Sequence, residues 1–238
     1  ETVDYGTIQA NWKFDGNTDD SSGNGYNEIA PASNLNYSTS NFLESTEAAV
    51  FDDNSTPIQY NNGTFLNKKS SVISIAGWIY PTDLSGERII FEEGANQGFT
   101  LWMDGKTLTL SVSNSGNRVD LPASNDLQKG VWQHVAGVFD NGTLSVYLNG
   151  IENSTTTIDN GYIYEEIGSH GDGGGLGGLI GNGSAIGGGA DDFIGSLDAF
   201  VYSNSNAFSD TAIRADAEQI CFFVQQTDGN WQTSGNWL

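Results

Sequence analysis

An all-β sandwich of two antiparallel sheets, with one short helix near the C-terminus, is the fold class this sequence predicts. Three observations carry it. Short apolar runs recur between tight polar turns, as in "SVISIAGWIYPTDLSGERIIFEEGANQGFTLWMDGKTLTLSVSN". The chain holds 31 glycines, many beside Asn and Asp, which is turn chemistry rather than helix chemistry. At 238 residues it also matches the length at which all-β domains fold as one unit around one core.

Taken in order, residues 7–14 (TIQANWKF) alternate well enough for an opening strand, and the polar loop DGNTDDSSGNGYN follows. Short strands are expected at 48–51 and 56–60, and a longer one at 71–80, ending at Pro81. Further strands fall near 87–92, 98–103 and 107–112. In the last, Leu108, Leu110 and Val112 alternate with Thr and Ser, which marks one wet face. The Asp-Gly-Lys at 104–106 supplies a hairpin turn, and Asp140-Asn141-Gly142 supplies the clearest one, between 131–140 and 143–150. The last long apolar strand is 192–203. FSDTAIRADAEQ reads as the short helix, with Ser209 as N-cap and Asp210 in its first turn. A final strand is expected at 219–226. Residues 1–226 then make the domain, and 227–238, with Gly-Asn-Trp twice, form a tail or open a further module.

Charge narrows the partners. Thirty acidic residues against eight basic ones leave a net charge of -22. That field repels phosphate backbones and anionic bilayers, so nucleic-acid binding is excluded as an expectation. It attracts divalent cations. No apolar run approaches the length of a membrane span, so no membrane insertion is expected. The start at Glu1 suggests a processed protein or a domain cut from a longer one. The single cysteine, Cys221 in "ICFFVQ", forms no internal disulfide and reads as a buried strand residue rather than a nucleophile. The glycine-rich run 168–189 lacks the Lys-Ser/Thr of a phosphate loop and the Asp period of a calcium-binding nonapeptide repeat. It reads as a surface loop or a ligand-facing one.

Several segments, in order, resemble one family. WKFDGNTDDSSGNG is similar to its first strand and loop, ISIAGWIYP to its aromatic strand ending in Pro, and VWQHVAGVFDNGTLSVYLNG to its most specific strand pair. GSLDAFVYSNSNAFSDTAI is similar to its closing signature. The resemblance, over about 7–215, is to the laminin-G-like and concanavalin A-like lectin/glucanase jelly-roll domains. It implies a jelly-roll sandwich and an extracellular or cell-surface recognition module. Such a module binds a glycan or peptide on another cell or matrix in cell adhesion, with copies of itself as a second partner class. A structural role, as subunit of an extracellular filament or decoration of a virus particle, is the alternative. The sequence departs from the family where Asp198 is followed by Ala199 and Phe200, and in its long glycine-rich insertion.

The resemblance also implies a structural Ca2+ where the first loop meets the closing strand. Asp15, Asn17, Asp19 and Asp198 are its expected ligands, with Asp20 as a further donor. The loop supplies the hard oxygens calcium takes, although its sixth and twelfth positions, Asp20 and Tyr26, exclude an EF-hand. A solvated Asx-rich turn is the plain reading of the same residues. Trp78 and Trp132 lie in strands that relatives bury. Trp102 and Tyr147 are candidate sugar-stacking rings, and Asp172 and Asn182 candidate ligand contacts in the glycine-rich loop. His134 reads as structural, and two histidines without zinc-site spacing make no zinc site. A hydrolase on this fold needs paired carboxylates. The Glu-x-Asp-x-x-Glu strand of the glucanase relatives is absent, so no catalysis is expected.

Overall fold

The computed structural model describes residues 3–29, 32–39, 47–60, 70–94, 97–114, 117–158, 174–178, 186 and 190–228, with the backbone alone at Gln97 and over 220–228. Its strands are β1 (Ala10–Trp12), β2 (Asn36–Ser38), β3 (Ala48–Phe51), β4 (Ile58–Tyr60) and β5 (Val72–Pro81). They continue as β6 (Glu87–Glu93), β7 (Gln97–Asp104), β8 (Thr107–Asn114), β9 (Asn117–Asp126) and β10 (Gln133–Asp140). Last come β11 (Thr143–Leu148), β12 (Ile151–Thr157), β13 (Gly174–Leu176), β14 (Asp191–Asp192) and β15 (Gly195–Ser203), before the helix α1 (Asp210–Asp228).

Among the described residues these strands make two sheets. An eight-stranded sheet runs β12-β11-β10-β5-β15-β3-β2, with β1 also on β15. A seven-stranded sheet runs β4-β13-β6-β7-β8-β9, with β14 on β6. Every pairing is antiparallel except the two-residue β14–β6 contact. This is the jelly-roll sandwich expected from the sequence.

Side chains alternate across a strand, so each strand offers one face inward. Ile75 and Ile79 of β5, Phe139 of β10 and Phe200 of β15 meet Phe99, Leu101, Leu108 and Leu110 of the other sheet in one buried core. Two glycines make room in this core, Gly77 for a ring on the neighbouring strand of its own sheet and Gly137 for the approach of the other layer. A Cβ on Gly77 would stand 2.5 Å from the Phe200 ring, and one on Gly137 would stand 2.9 Å from Leu110. The eight-stranded sheet is covered on its outer face as well. Ala76, Ala136, Val138, Tyr147 and Val201 pack there under Tyr5, Phe208, Ala212 and Ile213. Burial on both faces explains why β5 reads as a nearly unbroken apolar run.

The chain's last element corrects the sequence reading. The strand expected at 219–226 does not form; α1 continues through it to Asp228, past the expected domain boundary at 226. Local composition favoured a strand, since Ile220 to Val224 is aromatic and β-branched apart from Cys221. The helix, however, is already nucleated upstream. Ser209 caps it by accepting from the Ala212 amide at 3.2 Å, and Ala212 and Ile213 bury on the sheet. Propagation from a paid nucleus needs only one bond per residue. Cys221 therefore lies on helix rather than strand. The tail 229–238 lies outside the described residues. Strands β2, β9, β12, β13 and β14 escaped the sequence reading because they are short, polar or glycine-rich.

A buried polar joint fastens helix to sheet. His134 of β10 is fully buried, and its Nε2 lies 3.2 Å from Asp216 Oδ2 on α1. Tyr5 donates its hydroxyl to the same oxygen at 2.5 Å. The structural reading of His134 matches this placement. Trp78 is buried beside it on the outer face, its ring 5.2 Å from the imidazole. Trp132 is half-buried against Tyr80, the ring centroids 5.5 Å apart.

Candidate functional site

The first loop is organised by a carboxylate, that of Asp20. Asp20 accepts from the backbone amides of Asn11 (2.9 Å), Ser22 (2.8 Å) and Tyr26 (3.0 Å), and from the Ser22 hydroxyl (2.8 Å). Burial by itself would raise its pKa; these donors outweigh that and hold it below the usual carboxylate value. Asn17 closes an Asx turn, accepting from the Asp19 amide at 2.9 Å and donating to the Asp15 carbonyl at 3.2 Å. Asp198 is fully buried on β15, opposite Trp78, where a bulge carries Ala199 at a φ of 50°. Among the described residues no three Asp, Glu, His or Cys side chains gather closely enough to hold a metal ion. Asp15, Asp19 and Asp198 thus form no such three-carboxylate group. What does surround Tyr37 is negative charge. Burial, with the charges of Glu28, Asp19 and Glu47, pushes the Tyr37 hydroxyl up to about 12.

The two candidate stacking rings are both covered. Tyr147 lies under the start of α1, 4% exposed, and donates its hydroxyl to Asp210 at 2.6 Å. Trp102 of β7 is 5% exposed and carries the Arg118 guanidinium 5.5 Å from its ring centroid. Asp172 and Asn182 lie outside the described residues.

Trp102 nevertheless marks a coherent surface. Phe99, Leu101 and Met103 of β7 point into the core, so Thr100 and Trp102 belong to the outer face of the seven-stranded sheet. Register extends that face sideways. Glu92 pairs with Thr100, Thr100 with Ser111, and Ser111 with Asp120, giving a polar row across β6, β7, β8 and β9. The row is screened in the middle, where Glu92, Thr100 and Ser111 are buried, and opens at β9, where Asp120 and Arg118 are exposed.

Hydrogen bonds wire the open end to the buried one. Trp102 Nε1 donates to Ser111 Oγ at 2.8 Å, and that hydroxyl donates to Asp120 Oδ1 at 2.6 Å. Arg118 Nε donates to the same oxygen at 2.5 Å, and a terminal nitrogen of Arg118 donates to the Ile186 carbonyl at 3.0 Å. Ile186 thus meets this face through its carbonyl. Sequence reasoning missed Arg118 and Asp120, since charged residues on a polar strand look merely solvated. The only signal was the alternation of β8, which marked a hydrogen-bonding face without saying what stood beside it.

One carboxylate near this face takes no part in it. Glu93 points between the sheets, fully buried, and accepts from the Tyr202 hydroxyl at 2.6 Å. Burial pushes its pKa well above the ordinary range.

Two stacked antiparallel sheets in this order define a jelly-roll sandwich domain. The chain belongs to the laminin G-like Laminin_G_3 family of the concanavalin A-like lectin/glucanases superfamily, whose model matches residues 52–214. No curated protein matches it by sequence. Among solved structures, domain 4 of AbnA, a GH43 extracellular arabinanase from Geobacillus stearothermophilus in complex with arabinotriose, is similar at a TM-score of 0.69. The identity is 20%, over 89% of this chain and 98% of that one. The botulinum neurotoxin serotype G binding domain is similar at a TM-score of 0.65 and 16% identity, over 93% of this chain and 52% of that one. A botulinum neurotoxin type C structure gives 0.63 and 14%, over 91% and 52%. The chain thus spans about half the length of those toxin chains. At such identities the likeness is one of fold. Among the described residues, no helix is long and apolar enough to cross a membrane.

Proposed function

We propose that this chain is a non-catalytic carbohydrate-recognition module acting outside the cell or at its surface. The observation that carries this reading is the polar row on the outer face of the seven-stranded sheet, opening to solvent at Arg118 and Asp120 beside Trp102. Two neighbours in fold support the ligand class. The arabinanase domain is in complex with arabinotriose, and the type C toxin's cell entry depends on interaction with two ganglioside molecules. The spacing of the row argues against hydrolysis. Its two carboxylates, Glu92 and Asp120, stand three strands apart, which is about 14 Å. Glycosidase pairs lie about 5–9.5 Å apart. A glycan array probed with the whole chain tests the reading, with sedimentation at several concentrations alongside. Retention of one or more oligosaccharides by a monomer supports it. Silence across the array, together with concentration-dependent assembly, moves the role to a structural subunit.

Calcium is a separate proposal, as the counter-ion that a chain of net charge -22 draws to its acidic residues, the first-loop aspartates included. A net charge of -22 destabilises the compact state by self-repulsion, which a divalent cation relieves. Millimolar calcium is expected to raise the melting temperature by a few degrees, on the order of 1 kcal/mol for a chain this long, and a chelator to reverse the gain. An unchanged melt in both conditions removes calcium from the account.

A further inference from the structure

We infer that Arg118 and Asp120 form a preassembled hydrogen-bonding fork for a neutral sugar bearing adjacent hydroxyls. This rests on the carbohydrate reading and names the atoms and the ligand chemistry. The pair sits at the solvent end of a chain of hydrogen bonds whose other end is buried. Trp102 is 5% exposed and Ser111 fully buried, whereas the Arg118 and Asp120 side chains are 33% and 42% exposed. Each is held by more than the other. Asp120 is fixed by Ser111 at 2.6 Å, and Arg118 by the Ile186 carbonyl at 3.0 Å and the Trp102 face at 5.5 Å. An exposed ion pair standing alone contributes little to stability. Here its geometry is fixed from behind, which is how a binding site keeps its polar groups preorganised.

The valence left over defines the ligand. Both protein donors to Asp120, Ser111 Oγ and Arg118 Nε, use Oδ1. Among the described residues Oδ2 takes no donor. Arg118 spends Nε on Asp120 and one terminal nitrogen on Ile186, and its second terminal nitrogen has no acceptor among the described residues. One acceptor and one donor therefore stand side by side on a fixed frame. A vicinal diol satisfies both, one hydroxyl donating to Asp120 and its neighbour accepting from Arg118. A uronate carboxylate does not. It can reach Arg118, but it meets the Asp120 charge beside it and the field of a chain at -22. Because the guanidinium already covers the Trp102 face, this ring is a positioning residue and not the stacking platform expected from the sequence.

Titration calorimetry of the whole chain tests this with three probes: arabinotriose, a neutral hexopyranose trisaccharide and trigalacturonate. The variants are Asp120→Asn, which keeps shape and an acceptor but not the charge, and Arg118→Lys, which keeps the charge but not the fork. Both positions are on the exposed edge, and a thermal melt of each variant establishes that it folds as wild type does. Binding of a neutral probe, weakened by about tenfold or more in each variant, with no binding of trigalacturonate, is the expected result. Neutral-sugar binding that both variants leave unchanged overturns the fork while the carbohydrate reading stands. Preference for trigalacturonate overturns the neutral-ligand assignment. Failure of wild type to bind any array glycan overturns the fork and the carbohydrate reading together.

Discussion

Trp12→Ala is expected to lower the stability of the fold by about 3–5 kcal/mol, the range for truncating a buried Trp. For a chain of this length that is a fall of on the order of 10 °C in melting temperature. The side chain is fully buried and ties three segments together. It lies on β1 across from Phe200, stacks on Tyr60 of the opposite sheet at 4.2 Å with 20° between the planes, and donates Nε1 to the Tyr26 carbonyl of the first loop at 3.1 Å. Its loss opens a cavity where the sheets converge and leaves that carbonyl without this donor. Urea titration of the purified variant measures the change. A loss below about 1 kcal/mol, the level of an ordinary surface substitution, would show that Trp12 does not join the two layers.

Glu93→Gln is expected to stabilise the protein at pH 8 and to change little at pH 4. Burial raises the Glu93 pKa well above its ordinary value of 4.5. In the unfolded chain the carboxyl loses its proton as the pH rises past that value, while in the folded chain it keeps it. Its contribution to stability is therefore fully present below about pH 4.5 and is lost as the pH climbs toward the folded pKa. Each unit of that upward shift corresponds to about 1.4 kcal/mol. Gln cannot ionise, and its carbonyl still accepts from the Tyr202 hydroxyl, so the variant escapes the loss. Asp20 acts in the opposite sense. Its lowered pKa gives stability that is present above its ordinary value and is lost as the pH falls through the folded one. Chemical denaturation of wild type and variant at both pH values reads the difference. An equal gap at pH 4 and pH 8, or a less stable variant at pH 8, would mean that Glu93 is not held neutral between the sheets.

What was legible in the sequence was local. The Asp140-Asn141-Gly142 segment turns the β10–β11 hairpin, with Asp140 paired to Thr143 and positive φ at both Asn141 (46°) and Gly142 (90°). That is the backbone such a two-residue turn demands, and Asn-Gly supplies it. Likewise Gly105, at a φ of 58°, turns β7 into β8. The alternation of Leu108, Leu110 and Val112 correctly assigned the core face of β8, but the opposite face is not the wet one expected: Thr109, Ser111 and Ser113 are polar yet buried. Strand β9 was not legible, because it is an edge strand. It tolerates Pro122 and exposes most of its residues, so neither hydrophobic period nor composition marks it. The site inherits the same blindness. Trp102 stood out as an aromatic residue, but its neighbours Arg118 and Asp120 come from that unmarked strand.

Sequence alone determined the fold class, the two main hairpins and the acidic field, because each depends on residues close together or on simple sums over the chain. Tertiary structure decided the rest. It converted Ile220 to Val224 from an expected strand into helix by packing the preceding turns on a sheet. It covered Tyr147 with that helix, and Trp102 with an arginine. It also brought Arg118 and Asp120 onto the end of a polar row through three successive pairings among four strands. Register between distant segments is set by the sum of many weak contacts, and no single stretch of residues carries it.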